Sequence, residues 1–446
     1  MGDIQTRPAL ALVDGEHYPP VVRAAIALAA RSGPVVAALL LGGVEKLDGV
    51  PDYGVPLERV EGDPAAALVA AAHRHGAGRI LDLSDEPVLD ERARFRLAAH
   101  ALAAGLEYAG ADFEFRPPPR EPAGIPALAV VGTAKRIGKT AVSGHAARLL
   151  SADRRVVVVA MGRGGPAAPE VVDGAAARLG VADLLARARA GEHAASDYLE
   201  DAALAGVATV GARRCGSGLA GTPFLSNVPE AVAAARALDP DLVLLEGSGA
   251  ALPPVAADRT VLVTSAARPS ESLVTGMGPY RILVSDMLVV TMCEPPLATP
   301  EDVNEVRAAV ASVRPDLPVV TTVFRPHPAE AVEGDRVALF TTAPAAVHPA
   351  LRKSLHSDHG ADVVAVSGSL SDRAALRADL ERPEVAAAGA YLTEIKAAAI
   401  DVVAEAAEAR GARLVFCDNR PHSTDGSPDL DAALRRMADE AVAAHA

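Results

Sequence analysis

Aromatic residues are scarce in this chain of 446 residues, and tryptophan is absent. Half of the residues are hydrophobic, so the cores have to be built from alanine, valine and leucine. That composition suits helices packed on a parallel sheet. The length exceeds that of one ordinary domain and predicts about two or three domains.

Cysteines and net positive charge are also lacking. The three cysteines, Cys215, Cys293 and Cys417, are widely spaced and form no Cys-x-x-Cys pair. This excludes a disulfide framework or a thiolate zinc site and is typical of a reducing compartment. The net charge of −14 argues against a nucleic-acid partner. Because the sequence also lacks a signal peptide and a long apolar run, we expect a cytoplasmic protein without a membrane partner.

Strand and helix patterns alternate along most of the chain. Residues 1–118 predict an N-terminal α/β domain, which ends in the stiff, proline-rich stretch 116–122. Residues 124–370 contain near-continuous apolar strands and predict an ATP-binding core of P-loop NTPase type, with a doubly wound, mostly parallel sheet. Residues 371–446 predict a mainly helical C-terminal α/β subdomain with one clear strand, at Leu414–Cys417.

The strongest motif is a glycine-rich loop between an apolar strand and a helix, at residues 132–141. Glycines allow backbone N–H groups to approach phosphate oxygens, and the helix N-terminus adds a positive dipole end. Lys139 would neutralise the β and γ oxygens of ATP, and Thr140 would hold Mg²⁺. An incidental Gly-Lys-Thr at a helix start is the alternative interpretation. The predicted nucleotide-binding residues are Gly132, Thr133, Gly138, Lys139, Thr140 and Ala141.

The loop departs from the usual pattern in one respect. Five residues separate Gly132 from Gly138, where the common motif has four. Thr133 stands at the usual position of the first glycine. This shifted form resembles the loop of dethiobiotin synthetase and related P-loop ligases.

A carboxylate at the end of a second strand is expected to complete the metal site. Four apolar residues at 242–245 precede Glu246, and ligands collect at the carboxyl ends of parallel strands. Glu246 could bind Mg²⁺ directly, bind it through water, or orient a nucleophile; capping of the next helix is the alternative. Thr140 and Glu246 are therefore the predicted metal residues.

Basic residues recur in glycine-rich loops that follow three strands. They are Lys135, Arg136, Arg163, Arg213 and Arg214. The planar guanidinium suits phosphate oxygens, so these loops predict a small substrate with several phosphates or carboxylates. Arginines solvated in surface loops are the alternative.

Two further segments offer candidate substrate residues. Asp14, Glu16 and His17 follow a strand near the N-terminus, where helix capping is the alternative interpretation. In the tail, residues 391–401 are predicted to form a helix, from which Lys396 could reach a phosphate. The alternative is an ordinary lysine on a helix surface.

Several of these segments together resemble the cyclic 2,3-diphosphoglycerate synthetase family. The matching segments are 12–22, 132–144, 162–166, 213–221, 246–249 and 394–401. Because they span nearly the whole chain, the combination is far more specific than the phosphate loop alone.

The resemblance implies that ATP, with Mg²⁺, drives ring closure of 2,3-diphosphoglycerate and releases ADP and phosphate. One substrate phosphate would attack the γ-phosphorus, and the other would then displace the activated group. The resemblance also implies a homodimer. The implied catalytic residues are Lys139, Lys135, Arg136 and Glu246. The implied substrate-binding residues are Arg163, Arg213, Arg214, Asp14, Glu16, His17 and Lys396.

Two other functions stay open at this point. The first is a 2-phosphoglycerate kinase or another P-loop phosphoryl-transfer ligase acting on a small polyanion. The second is a nucleotide-dependent binding or regulatory protein of the metallochaperone kind, which the absence of paired Cys or His ligands disfavours.

Overall fold

The computed structural model describes residues 7–174, 179–192, 194 and 196–445. The chain forms two compact units. The N-terminal unit comprises Met1–Pro119, Glu271–Val284 and Ala309–Pro315, and the core unit comprises Arg120–Ser270, Ser285–Ala308 and Asp316–Ala446. Among the described residues, none of the helices is both long and apolar enough to span a bilayer.

The strands and helices are numbered in chain order. The strands are β1 (Ala9–Val13), β2 (Val35–Leu40), β3 (Leu57–Arg59), β4 (Arg79–Asp82), β5 (Glu107–Ala109), β6 (Glu114–Phe115), β7 (Glu121–Pro122), β8 (Ala127–Gly132), β9 (Val156–Gly162), β10 (Glu170–Asp173), β11 (Ala208–Cys215), β12 (Leu225–Ser226), β13 (Leu242–Glu246), β14 (Val255–Ala256), β15 (Arg259–Ser265), β16 (Met287–Thr291), β17 (Val319–Pro328), β18 (Arg336–Phe340), β19 (Asp362–Ser367), β20 (Ala390–Thr393) and β21 (Arg413–Ser423). The helices are α1 (Pro19–Ala29), α2 (Pro64–Arg74), α3 (Glu91–Ala103), α4 (Lys139–Leu150), α5 (Val181–Arg189), α6 (Asp197–Ala205), α7 (Val228–Arg236), α8 (Gly278–Leu283), α9 (Pro300–Val313), α10 (His348–His359), α11 (Arg373–Leu380), α12 (Pro383–Ala386), α13 (Glu405–Arg410) and α14 (Leu430–Ala443).

The N-terminal unit is built on a sheet with the strand order β3-β2-β1-β4-β5-β6. All neighbouring strands are parallel except the last pair, β5 and β6. Side-chain caps start two of its helices, α2 and α3: Asp63 accepts a hydrogen bond from the backbone N–H of Ala66, and Asp90 accepts one from Ala93. Helix α8 packs against α3, so this unit includes a segment distant in sequence.

The core unit contains a large, mostly parallel sheet in the order β10-β11-β9-β13-β8-β15-β16-β17-β21-β20-β18-β19. The phosphate-loop strand β8 lies between β13 and β15, parallel to both. Both β8 and β13 are buried along their whole length, which explains their continuous apolar sequences. This architecture confirms the predicted α/β fold class.

The C-terminal segment departs from its sequence-based prediction at one element. The helix predicted over residues 391–401 is wrong: β20 is a strand, and a π-helical turn follows only at Ala399–Ala404. Tyr391 and Leu392 are fully buried between β18 and β21, so sheet pairing decides their conformation. The alanine-rich sequence after the strand favoured the helix prediction, because alanine has the highest helix propensity. Residues 371–446 thus contain two strands, one more than expected.

Candidate active site

The phosphate loop connects β8 to α4. Gly138 has a φ of +80° and forms the N-cap of α4, while Arg136 has a φ of +57°, an unusual value for a residue with a side chain. A Cβ atom at Gly132 would lie 2.9 Å from the carbonyl oxygen of Gly249. The glycine is therefore required where two backbone segments of the site approach each other.

Two threonine side chains, on neighbouring strands β15 and β16, fix the loop. The hydroxyls of Thr133 and Thr264 are hydrogen-bonded at 3.0 Å. Thr291 donates a hydrogen bond of 2.7 Å to the carbonyl of Ile137. These contacts preorganise the loop, because its ends are held by β15 and β16 as well as by its own helix.

Lys139 and Glu246 form a buried ion pair at the base of the loop. The ammonium group donates to Glu246 Oε1, and the side chains are 8% and 1% exposed. The second carboxylate oxygen, Oε2, is buried without a hydrogen-bond partner. The lysine and acid predicted from separate motifs are thus in direct contact.

A second buried carboxyl group, on Asp201, lies beside Glu246 and has no counterpart in the sequence-based prediction. Its Oδ2 is also buried. Burial raises the pKa of Asp201 well above its ordinary value, and the neighbouring Glu246 raises it further. A signal for it exists in the sequence: Asp197, Glu200 and Asp201 stand at i, i+3 and i+4 on α6 and so share one face.

Three cationic side chains converge on Gly249, in the loop after β13. A Cβ atom there would lie 2.8 Å from Arg163 Nη2, 3.6 Å from Arg214 Nη2 and 3.7 Å from Lys135 Cγ. Arg214 is fixed by hydrogen bonds of 2.8 Å to the carbonyls of Gly216 and Ser248. Burial lowers the pKa of Arg214, and Arg163 adds to the effect. Such a concentration of like charge favours binding of an anion.

Arg213 is placed differently from Arg214. Strand β11 continues to Cys215, and successive strand residues point to opposite faces. The backbone N–H of Arg213 donates to Asn227 Oδ1 at 2.7 Å, which ties the strand to the start of α7.

The phosphate loop and several of these cations line one cavity of about 1100 Å³. Its lining includes Lys135, Arg136, Lys139, Thr140, Arg163, Glu394 and Lys396. Residues from the phosphate loop, from the loop after β9 and from the C-terminal segment therefore face the same space.

Lys396 lies among carboxylates rather than on an open helix surface. Its Nζ is 3.5 Å from Glu200 Oε1, and about one third of its side chain is exposed (33%). Burial opposes its charge, but Glu200 and Glu394 outweigh that effect and raise the pKa of Lys396. Burial raises the pKa of Glu200 to about 8. The ordinary surface-lysine interpretation thus does not describe this residue.

Glu394 is the acceptor at the centre of a small hydrogen-bond network. It accepts from the hydroxyls of Thr341 at 2.5 Å and Thr342 at 2.9 Å, and from Asn419 Nδ2 at 2.9 Å. Although burial acts to raise the pKa of Glu394, Lys396 and these donors lower it. A carboxylate held this firmly orients the loop that carries Lys396.

In the N-terminal unit, Asp14 is a buried acceptor of several local hydrogen bonds. Its carboxylate accepts from the backbone N–H groups of Glu16 at 2.9 Å, His17 at 3.1 Å and Asp85 at 2.7 Å. His17 Nδ1 lies 2.9 Å from it, and Glu16 pairs with Lys46. Asp14 thus holds its own turn and does not cap the following helix, because the N-cap of α1 is Tyr18, which has no side-chain capping bond.

Preformed metal-binding clusters are absent from the described part of the chain. Within the described ranges, no group of three or more His, Cys, Asp or Glu side chains could hold a metal ion.

The loop is rich in glycine and connects a buried strand of a mostly parallel sheet to a helix that begins with a buried lysine. These features define a P-loop nucleotide-binding protein. Three family models match the chain: the cyclic 2,3-diphosphoglycerate synthetase N-terminal domain at residues 8–116, the P-loop domain at 127–323 and the C-terminal domain at 328–420. The chain belongs to the cyclic 2,3-diphosphoglycerate synthetase family, which confirms the resemblance seen in the sequence.

Relatives that carry this name are similar over nearly their full length. The chain is 51% identical to the cyclic 2,3-diphosphoglycerate synthetase of Rubrobacter xylanophilus, covering 96% of each sequence. It is 41% identical to that of Methanothermobacter thermautotrophicus, covering 98% of this chain and 97% of the relative. Among solved structures, Aquifex aeolicus LpxK in complex with ATP has a TM-score of 0.40 at 14% identity, covering 73% of this chain and 90% of that one.

Proposed function

We propose that this protein is an ATP-dependent ligase that closes 2,3-diphosphoglycerate into cyclic 2,3-diphosphoglycerate. The reaction forms an intramolecular phosphoanhydride and releases ADP and phosphate. The observation that carries the proposal is that a phosphate loop and a second set of cations line one cavity. Full-length similarity to relatives of that name supports the choice of substrate.

The reaction brings together two groups that repel each other. One substrate phosphate attacks the γ-phosphorus of ATP and releases ADP. The other substrate phosphate then attacks the phosphorus of the activated substrate phosphate, which closes the ring and displaces the transferred phosphoryl group as inorganic phosphate. Lys139, Lys135 and Arg136 offset the charge at the γ-phosphate, and no covalent enzyme intermediate is needed. Holding both anions in line in one cavity supplies the proximity part of the rate enhancement.

Substrate binding is assigned to the cations outside the phosphate loop. Arg163 and Arg214 converge beside Lys135, and Lys396 lines the same cavity. Arg213, Asp14, Glu16 and His17 stay predictions for this role, on the strength of the family resemblance. Gly132, Thr133, Gly138, Thr140 and Ala141 are assigned to the nucleotide.

The residues at the base of the phosphate loop suit a magnesium ion. Glu246 Oε2 is a buried carboxylate oxygen beside Asp201, and oxygen is the ligand atom that Mg²⁺ prefers. Thr140 and Glu246 would hold the ion together with ATP. When bound, Mg²⁺ neutralises phosphate charge.

We also propose that the protein is a cytoplasmic homodimer. Light scattering of the purified protein would test the oligomeric state.

Phosphorus NMR of the protein with ATP, Mg²⁺ and 2,3-diphosphoglycerate tests the reaction. We expect a cyclic product signal with one phosphate released per product. The same experiment with 2-phosphoglycerate is the matched control. Phosphoryl transfer to 2-phosphoglycerate without ring formation would establish the kinase instead. ATP consumption that no substrate stimulates would favour a nucleotide-dependent binding protein.

A further inference from the structure

Helix α1 of the N-terminal unit is apolar on the side that faces solvent as well as on the side that faces the sheet. The inner side contributes Val22 and Ile26 to a buried cluster. On the outer side, Val21 is 59% and Leu28 is 62% exposed. We define the outer face as the exposed apolar residues at successive turns of α1, namely Pro20, Val21, Ala24, Ala27 and Leu28. Because a helix that is apolar all round is normally covered, this face indicates a contact surface.

The outer face is uncharged in a chain that is strongly acidic. Arg23 is the one charged residue in the sequence of α1, and it lies outside the outer face, where it pairs with Asp52. Tyr18, at the N-cap, is 72% exposed and extends the apolar surface beyond the start of the helix. Because the net charge is −14, two copies of the chain repel each other overall, and a neutral face is where they can approach most closely.

Two charges of opposite sign stand at the two ends of the outer face. Arg31 follows the end of α1, and Glu45 lies in the 3₁₀ turn Val44–Lys46. The ion pair between Lys46 and Glu16 holds this turn beside the start of α1. Arg31 and Glu45 are exposed, and within the part of the chain that the structure describes neither side chain has an ion-pair or hydrogen-bond partner. The outer face therefore has an unpaired cation at one end and an unpaired acid at the other.

We infer that the outer face of α1 binds a second copy of this chain, with the two α1 helices antiparallel about a twofold axis. The inference rests on the proposed homodimer and names its surface. In this arrangement Arg31 of each copy meets Glu45 of the other, and Tyr18 of each copy covers Leu28 of the other. An apolar centre with an aromatic residue and charges at the rim is the usual composition of a protein interface. A different protein would have to match both charges, whereas a second copy supplies them by symmetry.

Sedimentation equilibrium of the full chain tests the apolar part of this surface. Leu28→Glu places a charge on the outer face of both copies, so we expect the dissociation constant of the dimer to rise about tenfold or more. Leu219→Glu is the matched control, because Leu219 is 64% exposed, nearly as much as Leu28, but lies in the core unit. The control should change the dissociation constant by less than about twofold.

Exchanging the two charges tests the antiparallel arrangement without altering the apolar residues. Arg31→Glu and Glu45→Arg each replace two attractive contacts of a twofold dimer by two repulsive ones. Each should therefore raise the dissociation constant about fivefold or more. Arg31→Glu combined with Glu45→Arg restores opposite charges and should return the constant to within about twofold of that of the unmodified protein. Both residues are exposed, so these variants keep the fold, which melting temperatures verify.

A dimer that is as stable in Leu28→Glu as in the unmodified protein, or equally weakened by Leu219→Glu, would overturn the assignment of the outer face and place the homodimer contact elsewhere. A double charge variant that associates no better than the single ones would overturn the antiparallel arrangement. If the unmodified protein stayed monomeric at all concentrations, both the homodimer and this inference would fail. That result would leave the proposed ring closure untouched, because phosphorus NMR tests the reaction independently of the oligomeric state.

Discussion

At the scale of single residues, Lys139 and Glu246 neutralise each other in the buried site, and each is also assigned a ligand in the proposed reaction. Both side chains are almost fully buried, so each group depends on the other for its charge to be tolerated. In the proposed reaction Lys139 has to turn toward phosphate oxygens. The nucleotide thus replaces Glu246 as the partner of the lysine, and the carboxylate becomes available to a cation.

Removing the lysine alone should damage both folding and catalysis. Lys139→Met leaves Glu246 buried without its counter-charge, which we expect to cost about 3–5 kcal/mol of unfolding free energy. Lys139→Met combined with Glu246→Gln should recover most of that stability, while substrate-stimulated ATP turnover stays about 10²–10³-fold lower. Urea unfolding and a phosphate-release assay measure the two quantities. A double variant as unstable as the single one would contradict the pairing.

The metal role of Glu246 can be tested separately from its pairing. Because Glu246→Gln removes the negative charge, we expect the Mg²⁺ concentration for half-maximal turnover to rise about tenfold. Asp286→Asn is the matched control, since Asp286 Oδ2 already accepts a 2.8 Å hydrogen bond from the backbone of Thr260. An unchanged Mg²⁺ requirement in Glu246→Gln would exclude this residue as a metal ligand.

At the scale of secondary-structure elements, the start of α4 depends on a glycine for two independent reasons. Gly138 has positive φ, and it also lies against the Phe324 ring. Positive φ at a glycine is common to many turns of this chain, whereas the contact with the Phe324 ring is part of the site.

Gly138→Ala should therefore destabilise the protein more than positive φ alone explains. Gly334→Ala is the control, because Gly334 has a φ of +75° with open space around it. We expect about 1–2 kcal/mol for the control and about 1–3 kcal/mol more for Gly138→Ala, with loss of ATP binding only in the latter. Denaturant unfolding and ATP titration measure both. Equal destabilisation of the two variants would show that the Phe324 ring moves aside without a cost in stability.

Local patterns predicted the phosphate loop and Glu246, because each depends on residues close in sequence. The meeting of Arg163 and Arg214 was predictable too, since parallel strands end at one edge of the sheet. Arg213 and Arg214 were both predicted to lie in a loop, and this is wrong, because the apolar pattern of β11 stops at Val210 while the strand continues to Cys215. Asp201 was missed, since its burial depends on the packing of α6 against α4.

At the scale of the whole molecule, the excess of acidic residues extends into the interior. Glu200, Glu394 and Asp418 are buried in the core unit. Lys396 interacts electrostatically with all three. Such a cluster makes the stability of the fold depend on pH.

Glu200 should make the stability of the protein fall as the pH rises from about 5 to 8. The pKa of Glu200 is raised from 4.5 to about 8 by burial, so over this range the folded state retains a proton that the unfolded state has released. We expect Glu200→Gln, which cannot ionise, to reduce this loss by at least about 1 kcal/mol. Melting temperatures across the pH range test it. A parallel decline in both proteins would assign the pH dependence to other groups.

Strand β17 pairs with β16 through its first residues and with β21 through the rest, so a single strand joins the phosphate-loop strands to the C-terminal strands. The P-loop and C-terminal family models also meet within it, at residues 323 and 328. A chimaera that exchanges the C-terminal part of two relatives, from this junction onward, would therefore cut a shared strand between two pairing partners. Recombination between members of the family should succeed only when β17 and β21 are inherited from the same parent.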